Sequence, residues 1–202
     1  MHIKASRVTN LTDARYFAAK EVDFLGFNLE ESTDGYLEPS HMKAMREWVA
    51  GPKIVGEFAR ATAAYVREAA AFFALDVVQV NASATGGDWS ALEGLEVIWE
   101  INSPLHWRAQ LAQVAPQARW VLFDFSSANV SLSNIYAEIN FWKTQCAQHA
   151  LLLQGDFSAT EWLDLLKALS PAGIGLLGGE EERVGVKSFD EIEEIFECLR
   201  PS

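Results

Sequence analysis

Residues 53–80 read KIVGEFARATAAYVREAAAFFALDVVQV, and the order of patterns in this stretch decides the fold. It opens on a short β-rich run, Lys53 to Phe58. A segment follows with Tyr65, Ala69 and Phe72 three and four residues apart, the period of a helix, and Val77 to Val80 is a second β-rich run. Two strands joined by a helix-length crossover form a parallel βα unit rather than a hairpin. The alternation repeats outward in both directions. On the N-terminal side lie Ile3 to Ser6 and Phe24 to Asn28; on the C-terminal side lie Val97 to Ile101, Trp120 to Phe125, Ala150 to Leu153 and Gly173 to Leu177. Eight parallel strands close a barrel. The rival architecture, an open doubly wound sheet, uses the same alternation but commonly has five or six strands. The expectation is therefore an α/β chain forming a single (β/α)8 barrel, one domain over residues 1–202.

Several crossovers carry helix signals. Met42, Met45 and Val49 continue the helical period. Thr12 precedes Asp13 and Ala14, Pro39 precedes Ser40, and Ser158 stands three residues before Glu161 as a capping box requires. Ser188 and Glu191 repeat that spacing before the last helix. Trp48, Trp107, Trp142 and Trp162 fall on these helices, where burial against the barrel is their expected fate.

Composition narrows the function. Half of the 202 residues are apolar, enough for one sizeable core. A net charge of −12, with arginines and lysines scattered singly, repels nucleic acid and anionic membrane surfaces. The chain shows neither a signal-peptide pattern nor an apolar run long enough to span a bilayer, so the expected location is cytoplasmic. Cys146 and Cys198 fit no metal or redox spacing and read as free thiols, and the four histidines are not spaced as ligands. No metal is expected. A monomer is favoured over an oligomer.

In such a barrel the reacting groups come from the C-terminal ends of the strands. That rule selects Ser6, Arg7, Asn28, Arg60, Asn81, Asn102, Asp124, Gly155 and Gly178.

The order of short motifs then becomes specific. Lys4-Ala5-Ser6-Arg7-Val8-Thr9-Asn10 resembles the Lys-Ile-Cys-Gly-Ile-Thr-Asn start of phosphoribosylanthranilate isomerases. Asp23-Phe24-Leu25-Gly26-Phe27 is similar to that family's Ala-Leu-Gly-Phe strand, and Tyr36-Leu37-Glu38-Pro39 stands in the place of its Arg-Tyr-Val-Ser-Pro. Ile54-Val55-Gly56-Glu57-Phe58 resembles Val-Gly-Val-Phe, Val77-Val78-Gln79-Val80-Asn81 resembles Val-Gln-Leu-His, and Leu122-Phe123-Asp124 resembles Leu-Leu-Asp. Gly185-Val186-Lys187-Ser188 sits where the family has Gly-Ile-Lys-Asp. The matches run from end to end of the chain.

The resemblance implies a cofactor-independent Amadori rearrangement of phosphoribosylanthranilate in tryptophan biosynthesis. An aspartate at the end of strand six protonates the ring oxygen, and a cysteine at the end of strand one takes the C2 proton. Asp124 matches the acid, and its neighbours Phe123 and Phe125 suggest an apolar setting that would raise its pKa by desolvation. Read without the resemblance, Asp124 is an aspartate capping the next loop. Ser6 replaces the cysteine, and a hydroxyl has no accessible anion near pH 7 unless a neighbouring base activates it.

The remaining positions depart as well. Gly35 stands where the family has an arginine, Asn81 where it has a histidine, Arg60 where it has an asparagine and Arg7 where it has a glycine. Arg7 and Arg60 read equally as new anion ligands and as solvated surface arginines. The family holds its substrate phosphate on glycine-rich loops. Leu153-Gln154-Gly155-Asp156 stands in for Leu-Ala-Gly-Gly and Leu177-Gly178-Gly179-Glu180 for Ser-Ser-Gly-Val-Glu, so Gly155, Gly178 and Gly179 are the phosphate candidates, with Glu180 to Glu182 adding like charge. Ser126-Ser127-Ala128-Asn129 replaces a Gly-Thr-Gly-Lys type stretch.

These substitutions imply a phosphoribosylanthranilate isomerase-like protein with reduced or lost activity, whose ligand is a small anion such as a sugar phosphate. A non-catalytic binding or regulatory barrel, and an isomerase for a different sugar phosphate, are the alternatives.

Overall fold

A computed structural model describes residues 1–199 except 32, 34, 84–88, 117, 179–180, 184–185 and 188. Eight parallel strands close on themselves in sequence order: β1 (His2–Ser6), β2 (Phe24–Asn28), β3 (Lys53–Phe58), β4 (Val77–Asn81), β5 (Val97–Ile101), β6 (Trp120–Asp124), β7 (Leu151–Gln154) and β8 (Gly173–Leu177). The seam is fully paired, running from His2 opposite Gly173 to Ser6 opposite Leu177. The open-sheet alternative is therefore excluded, because β1 and β8 have each other as partners and leave no edge.

The helices are α1 (Leu11–Ala19), α2 (Pro39–Trp48), α3 (Ala63–Phe72), α4 (Trp107–Val114), α5 (Leu132–Ala137), α6 (Ile139–Gln148), α7 (Ala159–Leu169) and α8 (Asp190–Leu199). They are not distributed one per crossover. Between β4 and β5 the described regular element is a 3₁₀ turn, Trp89–Leu92, while two helices follow β6. A short antiparallel pair, β9 (Glu181–Arg183) with β10 (Val186–Lys187), intervenes between β8 and α8 and was not anticipated.

The capping box of α7 forms as its sequence requires, with Ser158 and Glu161 each bonding the other's backbone N–H. The start of α1 lies earlier than Thr12: the Asn10 side chain accepts from the Asp13 N–H and is the cap. Ser188 lies outside the described residues. On α3 the buried face is Ala63, Val66, Ala69 and Ala70, whereas Tyr65 and Phe72 point outward, so only Ala69 of the expected stripe is in the core. Trp142 and Trp162 are buried and Trp107 stacks on Trp142 at 5.3 Å, but Trp48 is 68% exposed, against expectation.

Strand alternation divides the apolar residues into two shells. Val8, Leu25, Phe27, Ile54, Val80, Phe123 and Leu153 belong to the large cluster between barrel and helices. Phe24, Val55, Val77, Ile98, Leu122 and Leu152 form a second, smaller cluster inside the barrel, with Trp120 against it. Among the described residues no helix is long and apolar enough to cross a membrane.

Candidate active site

Two residues beyond the inner apolar layer, five of the strands turn polar. Val55 is followed on the same face by Glu57, Val77 by Gln79 and Asn81, Ile98 by Glu100, Leu122 by Asp124 and Leu152 by Gln154; β1 contributes Lys4 and Ser6. Of the nine buried polar or charged side chains among the described residues, these account for all but Asp13 of α1. The C-terminal half of the barrel interior is thus a polar layer above an apolar floor, at the end where this architecture places its chemistry.

Five members of the layer, Glu57, Lys4, Ser6, Gln154 and Asp124, are wired together. The Lys4 ammonium, fully buried, pairs with Glu57 and donates to Ser6 Oγ at 2.7 Å. Ser6 Oγ donates in turn to Gln154 Oε1 at 2.9 Å, and Gln154 Nε2 donates to Asp124 Oδ2 at 3.1 Å. Ser127 completes the shell of Asp124, giving its backbone N–H to Oδ1 at 3.0 Å and its hydroxyl to Oδ2 at 2.8 Å. Room for the ion pair comes from Gly26, since a Cβ there would overlap the Glu57 carboxylate and lie 2.8 Å from Lys4 Nζ. Glu57 also accepts the Arg7 backbone N–H at 3.0 Å.

Ser6 and Asp124, the two positions singled out for acid–base work, are therefore joined by a single intervening side chain. The setting of Asp124 is not apolar, because Phe123 and Phe125 pack outward, edge to face with Trp142, while the carboxylate faces the polar interior. Its two oxygens accept three hydrogen bonds. Its bonds to Ser127 are also those of a loop cap, the plainer reading of this residue. Burial raises the pKa of Glu100, Glu57 and Asp124 push it the same way, and Lys4 and Arg7 oppose them.

The other candidates separate into built and unbuilt positions. Asn81 is buried but occupied: its amide donates to Asn102 Oδ1 at 2.7 Å and its oxygen accepts the Ser83 N–H at 2.7 Å. Arg7 has φ +53°, the left-handed conformation that suits the glycine of the resembled motif, and its side chain is exposed. Arg60 is exposed too, and the N–H groups of Ala59 and Arg60 are held by the Glu30 carboxylate at 2.6 and 2.8 Å. Asn28 turns back on its own loop, bonding Thr33 and the Glu30 N–H.

Gly155 and Gly178 stand half-buried on neighbouring strand ends, beyond the pairing of Gln154 with Gly175. The Asp156 N–H beside Gly155 donates to Ser126 Oγ at 3.0 Å, which leaves that amide engaged within the loops. Gly179 and Glu180, and the side chains of Glu181 and Glu182, lie outside the described residues. Among the described residues, no group of three or more His, Cys, Asp and Glu is placed to hold a metal ion.

Lys4, Glu57, Glu100 and Gln154 were not anticipated as site residues. The available signal was a charged or amide residue at every second position inside otherwise apolar strands.

Solved structures with the same architecture include phosphoribosylanthranilate isomerase from Thermotoga maritima, at 17% identity and TM-score 0.74 with 98% of each chain covered. Another is a phosphoribosyl anthranilate isomerase in complex with reduced 1-(o-carboxyphenylamino)-1-deoxyribulose 5-phosphate, at 18% identity and TM-score 0.75, covering 98% of this chain and 97% of that one. The Thermus thermophilus enzyme has 22% identity and TM-score 0.68, with 98% of each chain covered. Among curated proteins none matches the sequence. At these identities the structural likeness speaks for the fold. The family follows from the sequence model of N-(5'phosphoribosyl)anthranilate (PRA) isomerase, which matches residues 3–198, and the chain belongs to that family.

Proposed function

We propose that this barrel keeps the frame of a phosphoribosylanthranilate isomerase site but carries out the rearrangement slowly or not at all. The observation that supports this most directly is the environment of Ser6. Its oxygen receives a hydrogen bond from the Lys4 ammonium and its own proton is directed at Gln154, so the hydroxyl is held as a neutral relay. A proton acceptor at this position would need a free lone pair and a base to take its proton. The partner closest to hand is a cation paired with Glu57. Loss of a positioned base removes a factor of about 10² to 10⁴ in rate.

The ligand class is a small phosphate-bearing sugar derivative, by kinship with the isomerase that binds such a compound. The Gly155 and Gly178 loops and the exposed Arg7 are the groups that would meet its phosphate, with Gly179 beside them in sequence.

The experiment is a fluorescence assay of freshly generated phosphoribosylanthranilate. The expected result is turnover at least about 10² below the usual enzymatic range of 1–10³ s⁻¹, any residue of it lost in Asp124→Asn. Turnover within that range by the unmodified chain overturns the proposal.

A further inference from the structure

We infer that Gln154 is a specificity-determining residue whose carboxamide fills the space a sugar phosphate's reacting carbons would need. The inference rests on the isomerase-type reading of Ser6 and Asp124. An acid and a base acting on one substrate must both reach it, so the substrate's reacting segment has to lie between them. In this barrel that interval holds the Gln154 amide, 2.9 Å from Ser6 Oγ on one side and 3.1 Å from Asp124 Oδ2 on the other.

The side chain is held there. Gln154 is 2% exposed, and its oxygen and nitrogen each have a partner of matching polarity. On the adjacent strand Gly175 leaves just enough room, for a Cβ on it would stand 2.8 Å from Gln154 Oε1. Swinging the amide out would leave the Ser6 hydroxyl proton without its acceptor and take one of three donors from Asp124, so a ligand displaces it at least cost by supplying an acceptor for Ser6 and a donor to Asp124. The resembled loop motif has alanine at this place, which would leave the interval open. Restoring a cysteine at position 6 alone therefore leaves the site shut.

Two variants separate occupancy from hydrogen bonding. Gln154→Ala opens the interval; Gln154→Met keeps its volume and removes both bonds. The probe is reduced 1-(o-carboxyphenylamino)-1-deoxyribulose 5-phosphate, titrated calorimetrically into each protein after circular dichroism has verified folding. The expected result is at least a tenfold gain in affinity for Gln154→Ala, with Gln154→Met and Ser6→Cys at the unmodified level. No gain in folded Gln154→Ala, or an equal gain in Gln154→Met, overturns the inference.

Turnover of phosphoribosylanthranilate is followed in parallel for Ser6→Cys and for Ser6→Cys/Gln154→Ala. Affinity gained without turnover in the double variant supports the filled interval and counts against the isomerase-type reading. Turnover by Ser6→Cys alone does the reverse.

Discussion

Lys4 and Glu57 form an ion pair inside the barrel, with the lysine side chain fully buried and the glutamate side chain 8% exposed. Two charges taken out of water are tolerated because each is also hydrogen-bonded, Lys4 to Ser6 and Glu57 to the Arg7 N–H. Removing one partner leaves the other buried and uncompensated. Lys4→Met should therefore lower unfolding free energy in urea by about 3–5 kcal/mol, whereas Lys4→Met/Glu57→Leu should recover most of the loss. A single variant within about 0.5 kcal/mol of the parent would show that water reaches the pair.

Gly26 is coupled to the same pair by space. Its missing side chain is where the Glu57 carboxylate and Lys4 Nζ sit. Gly26→Ala should destabilise by about 1–3 kcal/mol, the usual consequence of overfilling a packed interior. In a Lys4→Met/Glu57→Ala background the penalty should shrink, since the atoms that the methyl would strike are gone or mobile. Equal penalties in the two backgrounds, measured as a double-mutant cycle by urea denaturation, would break the link.

What could be read from the sequence, and what could not, divides along the strands. The barrel was legible because each strand is a short apolar run and each crossover is long enough to forbid a hairpin. Ser6 and Asp124 were legible because they end β1 and β6, where the architecture puts its chemistry. Glu57, Glu100 and Gln154 were hidden for a physical reason. A polar residue at every second position normally marks a strand face turned to water, but a closed barrel buries both faces of its strands. The same alternation therefore describes a solvated surface or a wired polar interior, and only closure distinguishes them. The hydrogen bond that places Gln154 between Ser6 and Asp124 spans 148 residues of sequence, beyond the reach of any local pattern. The outward turn of Phe123 and Phe125 was predictable from strand alternation alone, and it removes the expected apolar setting of Asp124.

Glu100 gives the fold a pH dependence of definite sign. Its folded pKa is raised above the ordinary value of 4.5, first by burial and then by Glu57. Between the unfolded and folded pKa values the native chain holds a proton that the unfolded chain has released. Stability from this group accordingly falls as pH rises through that window and levels off above the folded pKa. Glu100→Gln cannot ionise and should lack this component. Urea midpoints measured across the acid-to-neutral range should show the parent losing ground to Glu100→Gln as pH increases. A gap that moves the other way would mean that Lys4 and Arg7 dominate the site.

The two thiols should differ sharply in reactivity. Cys146 on α6 is 8% exposed and burial pushes its thiol up to about 12, whereas Cys198 on α8 is exposed. At pH 8 only about one Cys146 in 10⁴ would be ionised, and the thiolate is the nucleophile. Native protein treated with a thiol-exchange reagent such as Ellman's should therefore release one equivalent promptly. The second should appear only in denaturant, at the rate of unfolding. Cys198→Ser should abolish the prompt equivalent and leave the slow one. If Cys146→Ser removes it instead, α6 is not packed against the barrel by the face that carries Trp142 and Cys146, and the buried aromatic stack behind Asp124 is not as described.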